Sequence, residues 1–545
     1  RRPTLEMFMK GKPSEEEAYV KKGVVTLEGI GGEEIKLEKA DVVIMNPPFT
    51  RQERIPEDYK NQLYKRFSKY SKLLHKQLGY YGYFVFLADN FLKKGGRLAL
   101  VLPASILRLS STRGLRHLIL NNYEIEHILS TWQRAAFSEG AQFREILLIA
   151  RKVKDIDETF PVNIEKKQVS ISTLKRLPEN VVQARRIANV IRKFHKDKKE
   201  FFFENDCIIS KKIEQGKFIQ NIDNLFPFIS YYDTRLFDLW CDLKKKCSKK
   251  LVRLPDYVEL HNGTIRRGAE LWKGSLAQYL FVCRSEDRAL KKKDVWVLKR
   301  IEGEKIIAKH RFFDVEIAIP FKCVYPALRR AAGIDKMNIT NSHDFLVTDY
   351  FPGFEAFLKY SKCEIKAEMD KFKRQMDRKL AHFSLVARFD LSASGTKILG
   401  FYSEIPFVPS QIMWSINVPV DKAKYLSLWF NSSLHILQLL SERKETRGAF
   451  IQVLGYSLNN FLVLDDHKLS GDEKKLLLKT FQKVKDIKFP SVLNQLSEKF
   501  EGRRVIDTAI LRTLGFNTGE INDILDFLYP ALANEIKRLK ALMKG

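Results

Sequence analysis

"DVVIMNPPFTRQERI", residues 41–55, decides how this chain is read. Asp41 to Met45 is a short run rich in Val and Ile, the pattern of a strand buried in a parallel sheet. The run stops at Asn46 and stiffens at once. Pro47 and Pro48 fix their own φ angles, and each holds the residue before it near an extended conformation. An amide side chain, a main-chain carbonyl and the ring of Phe49 are thereby presented at the carboxyl end of a strand. In open α/β sheets that is where ligands bind.

Outward from this motif, residues 22–152 alternate in the α/β manner. "GVVTLEGI" (23–30) and "EEIKLEKA" (33–40) read as short strands before the central one. "YKNQLYKRFSKYSKLLHKQLG" (59–79) and "YYGYFVFLADNFLKKGG" (80–96) read as helices, the second stopped by Gly95-Gly96. "RLALVLP" (97–103) is a second buried strand and "SSTRGLRHLILNN" (110–122) a helix. "EIEHIL" and "FREILLIARK" close the run, with a turn at "FSEGAQ" (137–142). This order predicts half or more of a doubly wound sheet with right-handed crossovers.

The remaining chain divides by pattern. Residues 153–250 read as a helical basic connector, from "NVVQARRIANVIRKFHKDKKEFFF" (180–203) and "TRLFDLWCDLKKKCSKK" (234–250). Residues 251–465 are dominated by short β-like stretches, among them "DYVEL", "DVWVLKRI", "KIIAKH", "VEIAIP" and "QIMWSINV". Two helices interrupt them, "CEIKAEMDKFKRQMDRKL" (363–380) and "DKAKYLSLWFNSSLHILQLLSE" (421–442). Residues 466–545 read as helical, with breaks at Pro490 and "GFNTGE". A chain of 545 residues is long enough for several such domains.

Composition narrows the partners. Ninety-five Lys and Arg against 66 Asp and Glu leave +29. That excess suits a polyanion, nucleic acid before an anionic membrane surface. The six cysteines (207, 241, 247, 283, 323 and 363) form no CxxC pair, the closest two, Cys241 and Cys247, match no usual zinc hook, and reduced thiols of a cytoplasmic protein are expected. No run reaches the roughly 18 apolar residues of a membrane helix. No metal is expected. The opening "RRPTLEMF" lacks an initiator Met, and the expectation is a piece of something longer.

The motif suits one chemistry. The exocyclic amine of a nucleobase is a poor nucleophile because its lone pair is delocalised into the ring. Two acceptors aimed at its N–H bonds would pull the nitrogen toward a tetrahedral geometry and turn the lone pair toward an electrophilic methyl group. Asn46 Oδ1 and the Pro47 carbonyl are suited to be those acceptors. Phe49 can stack on a base taken out of the duplex, a contact worth about 1–3 kcal/mol.

"NPPF", followed by "YYGYFVFLADNFLKKGGRLALVLPASIL", resembles the N6-adenine DNA methyltransferases of prokaryotic restriction–modification systems. The branch it looks like carries methyltransferase and target-recognition domain on one chain (type IIG-like). "VELHNGTIRRGAELWKG" (258–274) resembles the start of its recognition domains, and "EGRRVIDTAILRTLGF" (501–516) a helical segment near their ends. The resemblance implies a Rossmann-like sheet in 1–152, followed by a mixed α+β recognition domain and a helical C-terminus. It implies S-adenosyl-L-methionine as cofactor, double-stranded DNA as partner, catalysis by Asn46, Pro47, Pro48 and Phe49, and a share of cofactor binding for Asn46. Arg51, Arg266, Arg267, Arg329 and Arg330 are candidate DNA contacts, and "PALRRAAG" and "SERKETRGAF" are further basic turns.

The departures are informative. The family's glycine-rich cofactor loop and ribose-holding acid have no convincing match in residues 1–40; "GIGGEE" (29–34) lies between two short strands rather than opening a helix. The expectation is that these parts lie upstream or on another chain, with any nuclease, and that the fragment alone does not methylate. Phe137 and Phe143 are the candidates for a second stacking aromatic. Trp240, Trp272, Trp296, Trp414 and Trp429 are expected in the core. Two other functions fit less of the chain: an NPPF-type enzyme acting on RNA or protein glutamine, and a DNA-binding specificity module without catalysis.

Overall fold

The computed structural model describes residues 38–50, 52–131, 137, 145–158, 163–272, 274–390, 395–443 and 450–541. The strands expected at 23–30 and 33–40, "GIGGEE", Arg51 and Phe143 lie outside the described residues, apart from the end of the second strand. The architecture is mixed α/β with several sheets, in two units whose main boundary falls between Asp223 and Asn224.

The first unit is built on a seven-stranded sheet. Its elements are β1 (Ala40–Met45), α1 (Glu57–Arg66), α2 (Tyr80–Phe91), β2 (Leu92–Pro103), α3 (Arg113–Asn122), β3 (Tyr123–Thr131), β4 (Glu145–Lys152), β5 (Gln168–Leu174), α4 (Val181–Lys196), β6 (Phe202–Glu204) and β7 (Ile208–Glu214). The strand order is β1-β2-β4-β3-β5-β7-β6. β1 and β2 are parallel, and β4 runs antiparallel between β2 and β3. β2 and β3 therefore point the same way, as the two helical crossovers require.

Three expectations are revised here. β1 is the edge of the described sheet rather than a strand covered on both faces: Val42 and Ile44 are 54% and 76% exposed. Its second edge has no partner strand among the described residues. Gly95-Gly96 does not follow the helix directly; α2 ends at Phe91, and the glycines lie in an irregularity of β2 where the register shifts between Ala40 and Val42, with Gly95 at φ +83°. The segment read as a helical basic connector adds β5, β6 and β7 to this sheet, because "QVSISTL" and "IISKKIE" alternate at period two between the basic runs.

The second unit holds β8 (Leu251–Arg253), β9 (Thr264–Arg267), β10 (Phe281–Cys283), β11 (Trp296–Glu302), β12 (Lys305–His310), β13 (Glu316–Pro320), β14 (Val324–Leu328), β15 (Asp344–Val347), β16 (Ala381–Val386), β17 (Arg388–Asp390), β18 (Gly400–Pro409) and β19 (Met413–Asn417). Ten of them make one sheet, ordered β13-β12-β11-β10-β15-β14-β18-β16-β19-β9. "DYVEL" is not a strand but part of the helix Leu254–Leu260, opened by Pro255 in its first turn. Trp296 anchors the core, its ring stacked on Phe357 at 4.8 Å and its indole N–H donating to Ser361 Oγ at 2.8 Å. The expected single helix at 421–442 is two, Val420–Phe430 and Ser433–Ser441. Asn431 breaks it, accepting from the Leu399 and Gly400 N–H groups and donating to the Gly400 and Ser427 carbonyls. No described helix is long and apolar enough to cross a membrane.

His435 is 1% exposed, with Phe430 and Phe461 edge-on to its ring. Burial, reinforced by the Arg503 charge, pushes its pKa down to about 3. The unfolded chain, with a histidine value near 6.5, binds the proton first, so stability falls as pH drops from about 6.5 toward 3. Melting temperatures at pH 7.5 and 5.0 should show this loss, and His435→Leu should reduce the difference between the two.

Candidate active site at the end of the first strand

The site is built from the carboxyl ends of two neighbouring parallel strands. β1 ends at Met45, paired with Leu100 of β2, and Asn46 follows directly. Asn46 and Pro48 are exposed, Pro47 is buried and Phe49 is half-buried. The motif thus roots one proline in the protein and turns the amide outward.

The loop is held from the side by α2. Phe49 meets the ring of Tyr81 edge-on, centroids 6.3 Å apart and planes at 89°. Tyr81 lies in the first turn of α2, is 9% exposed and hydrogen-bonds Ser105; burial raises its hydroxyl pKa, the Ser105 bond opposing. Ser105 belongs to the turn Ala104–Leu107 that follows β2, so both strand ends meet through one tyrosine. At Gly79, which precedes α2, a Cβ would stand 2.8 Å from the Thr50 carbonyl oxygen. That approach is backbone against side chain, and neither can yield cheaply. Gly79→Ala should therefore cost about 1–3 kcal/mol and displace the loop, measured by denaturant unfolding.

Arg116 of α3 secures the turn after β2. Its guanidinium donates to the carbonyls of Ile106 (2.6 Å), Leu109 (2.9 Å) and Ile222 (2.6 Å) and to Thr112 Oγ1 (2.8 Å). Burial lowers its pKa to about 10, which leaves it charged at neutral pH. Behind the site, α2 is bolted to the sheet by a buried network. Asp89 accepts from Tyr70 (2.7 Å) and Tyr123 (2.5 Å), and Lys152 lies 3.2 Å from the same carboxylate and 2.6 Å from Asp155. Burial first, then Asp89, pushes both tyrosine hydroxyls well above their ordinary value. Nothing in the sequence linked Tyr70, Asp89, Tyr123 and Lys152, which lie on four different segments.

The other sequence candidates divide. Arg266 is exposed on β9. Arg267, the next residue along the strand, faces the other way and lies over the Trp414 ring at 4.7 Å. Arg329 is buried in an ion pair with Asp294 at 2.8 Å, and Arg330 binds the second oxygen of the same carboxylate at 3.0 Å. Asp294 is 2% exposed and needs that charge. Of "SERKETRGAF", Arg443 is buried against Glu535 at 2.9 Å, and 444–449 lie outside the described residues. Trp240, Trp296 and Trp429 are in the core as expected and Trp414 is partly buried, but Trp272 is 57% exposed. Phe137 is half-buried.

His261, Asp466 and His467 bring ligand-type atoms within 4.8 Å, a cluster that sequence spacing concealed. Lys422 Nζ already lies 2.8 Å from Asp466 Oδ2, and the two imidazoles stack at 5.1 Å, so the group is an ion-paired support. None of the six cysteines is in a disulfide.

Residues 11–137 match the family described as Eco57I restriction-modification methylase. The chain resembles a restriction–modification methyltransferase. The Type II methyltransferase M.BanIII of Aneurinibacillus aneurinilyticus is 28% identical over 132 residues, 24% of this chain and 22% of that protein. The Type II methyltransferase M.HincII of Haemophilus influenzae is 25% identical over 219 residues, 38% of this chain and 42% of that protein. The chain thus aligns with less than half the length of either relative. The solved structure of the type IIG restriction endonuclease BpuSI aligns over 91% of this chain and 54% of its own, at 13% identity and a TM-score of 0.41. For the type IIL enzyme MmeI, solved in complex with DNA, the figures are 92%, 56%, 12% and 0.37.

Proposed function

We propose that this chain is the base-positioning part of an enzyme for site-specific N6-methylation of adenine in double-stranded DNA, with S-adenosyl-L-methionine as methyl donor. It would act in the cytoplasm as the modification part of a prokaryotic restriction–modification or phage-defence system. The observation that carries the reading is Asn46-Pro47-Pro48-Phe49, held at the carboxyl end of β1 by Tyr81 and Gly79, within a stretch that matches a restriction-modification methylase.

The chemistry assigned to these residues is positioning. Asn46 Oδ1 and the Pro47 carbonyl accept the two N–H bonds of a flipped adenine amine, and Phe49 supports the base. Holding amine and methyl in line is the proximity contribution, roughly 7–11 kcal/mol at its best. The described residues do not complete a cofactor site. None supplies the glycine-rich loop or ribose-holding acid, and beside the motif β1 leaves Val42 and Ile44 exposed with one edge unpaired. Those parts, like any nuclease, would come from another portion of the polypeptide or from a partner.

The test is methyl transfer from labelled S-adenosyl-L-methionine to duplex DNA by the chain joined to its upstream portion, with nucleoside analysis of the product. N6-methyladenine at one sequence supports the proposal. Label on cytosine, on RNA or on protein glutamine instead would overturn it.

A further inference from the structure

In the second unit, β9 is the last strand of the ten-stranded sheet, and a cleft opens beside it. Its floor is apolar, made by the buried side chains of Leu276, Phe372 and Met376. Its rim is cationic: Arg266 from β9, then Arg378 and Lys379 from the turn after the helix Met369–Asp377. Trp272 completes the rim and is the most exposed tryptophan among the described residues.

That tryptophan is held in position rather than loose. Its indole N–H donates to Glu270 Oε2 at 2.8 Å, and its carbonyl accepts from the Ser275 N–H at 2.9 Å. The ring lies over Gly274, where a Cβ would come within 2.0 Å of it. Glu270, the only carboxylate lining the cleft among the described residues, is thus occupied in holding the ring. Lys379 is fixed as well, donating to the Gly268 carbonyl at 2.9 Å, while its own carbonyl accepts from Ser415 Oγ at 2.7 Å. Burial holds its ammonium below the ordinary lysine value, Glu270 opposing and Arg266 adding to the effect.

A large ring held exposed to water beside three cations presents a flat apolar face next to positive charge. Lipid would call for a wider apolar face, and an acidic peptide would not call for the ring. Phosphates spaced along a strand, with sugars and base edges between them, match both features. We infer that this cleft is a DNA-contacting surface, in which Arg266, Arg378 and Lys379 hold backbone phosphates and Trp272 packs on the adjoining sugar or base. The inference rests on the proposed action on duplex DNA and deepens it by naming where the duplex is held.

Binding of a fluorescein-labelled duplex to the intact chain, followed by anisotropy from 50 to 300 mM NaCl, tests it. Arg266→Ala combined with Arg378→Ala should reduce the slope of log affinity against log salt by about 2, and weaken binding about tenfold per lost contact near 100 mM salt. Trp272→Ala should weaken binding on the order of tenfold with the slope unchanged, and Trp272→Phe should restore much of it. All three substituted positions lie on the rim, and a thermal melt unchanged from the parent confirms the fold. Variants that bind with the parent's affinity and slope would overturn the inference alone. A parent chain that binds no duplex even at 50 mM salt would remove the DNA reading beneath it, and the inference too.

Discussion

Asn46→Ala is expected to lower methyl transfer by the complete enzyme on the order of 10²–10³-fold or more, while leaving duplex affinity within about twofold. The substitution removes one of the two acceptors assigned to the amine, and the effect falls on the chemical step because that acceptor matters most as the nitrogen becomes tetrahedral. Asn46 is exposed and follows the last residue of β1, so its loss leaves no cavity. Asn46→Asp separates charge from geometry: it keeps an acceptor at the same place and should retain more activity than alanine. A comparable fall in DNA affinity and in turnover would assign Asn46 to binding and discard the clamp.

The second large effect is on stability. Lys152 and Asp89 are 1% and 2% exposed, and the lysine also donates to the Asp89 main-chain carbonyl at 2.8 Å. Lys152→Met fills a similar volume but strands a carboxylate in the interior, a change that costs about 3–5 kcal/mol. Denaturant unfolding should show this as a lower midpoint with the slope preserved. Adding Asp89→Asn should return about half of the loss. The neutral amide can still accept from one tyrosine hydroxyl and donate to the other, and the charge left on Asp155 is part-exposed and keeps Lys39 beside it. A double variant as unstable as the single one would mean that the charge pair is not what joins α2 to β4.

These two sites differ in how visible they were beforehand. Asn46 to Phe49 stood out because the chemistry is local: four consecutive residues specify a rigid turn, and an apolar run before it specifies a strand end. The order of helices and strands from Tyr80 to Lys152 was legible for the same reason, since period and turn residues are properties of short windows. The strands of the second unit from Trp296 to Pro320 could likewise be read off their alternation.

What one window cannot contain is a partner from elsewhere in the chain, and the corrections at Arg329, Arg330 and the connector strands are of that kind. Arg329 and Arg330 read as surface cations until Asp294, some 35 residues away, came under them. Trp272 read as core because tryptophan usually is; only the placement of Glu270 and Gly274 around it turns the ring outward. "QVSISTL" and "IISKKIE" read as parts of a connector until their pairing made them strands of the first sheet. The sequence by itself determined the strand–Asn-Pro-Pro-Phe element and the cationic excess, because backbone stiffness and formal charge are carried by each residue alone. Tertiary structure alone decided which cations are free to meet a phosphate, because that depends on which carboxylate folding brings within 3 Å.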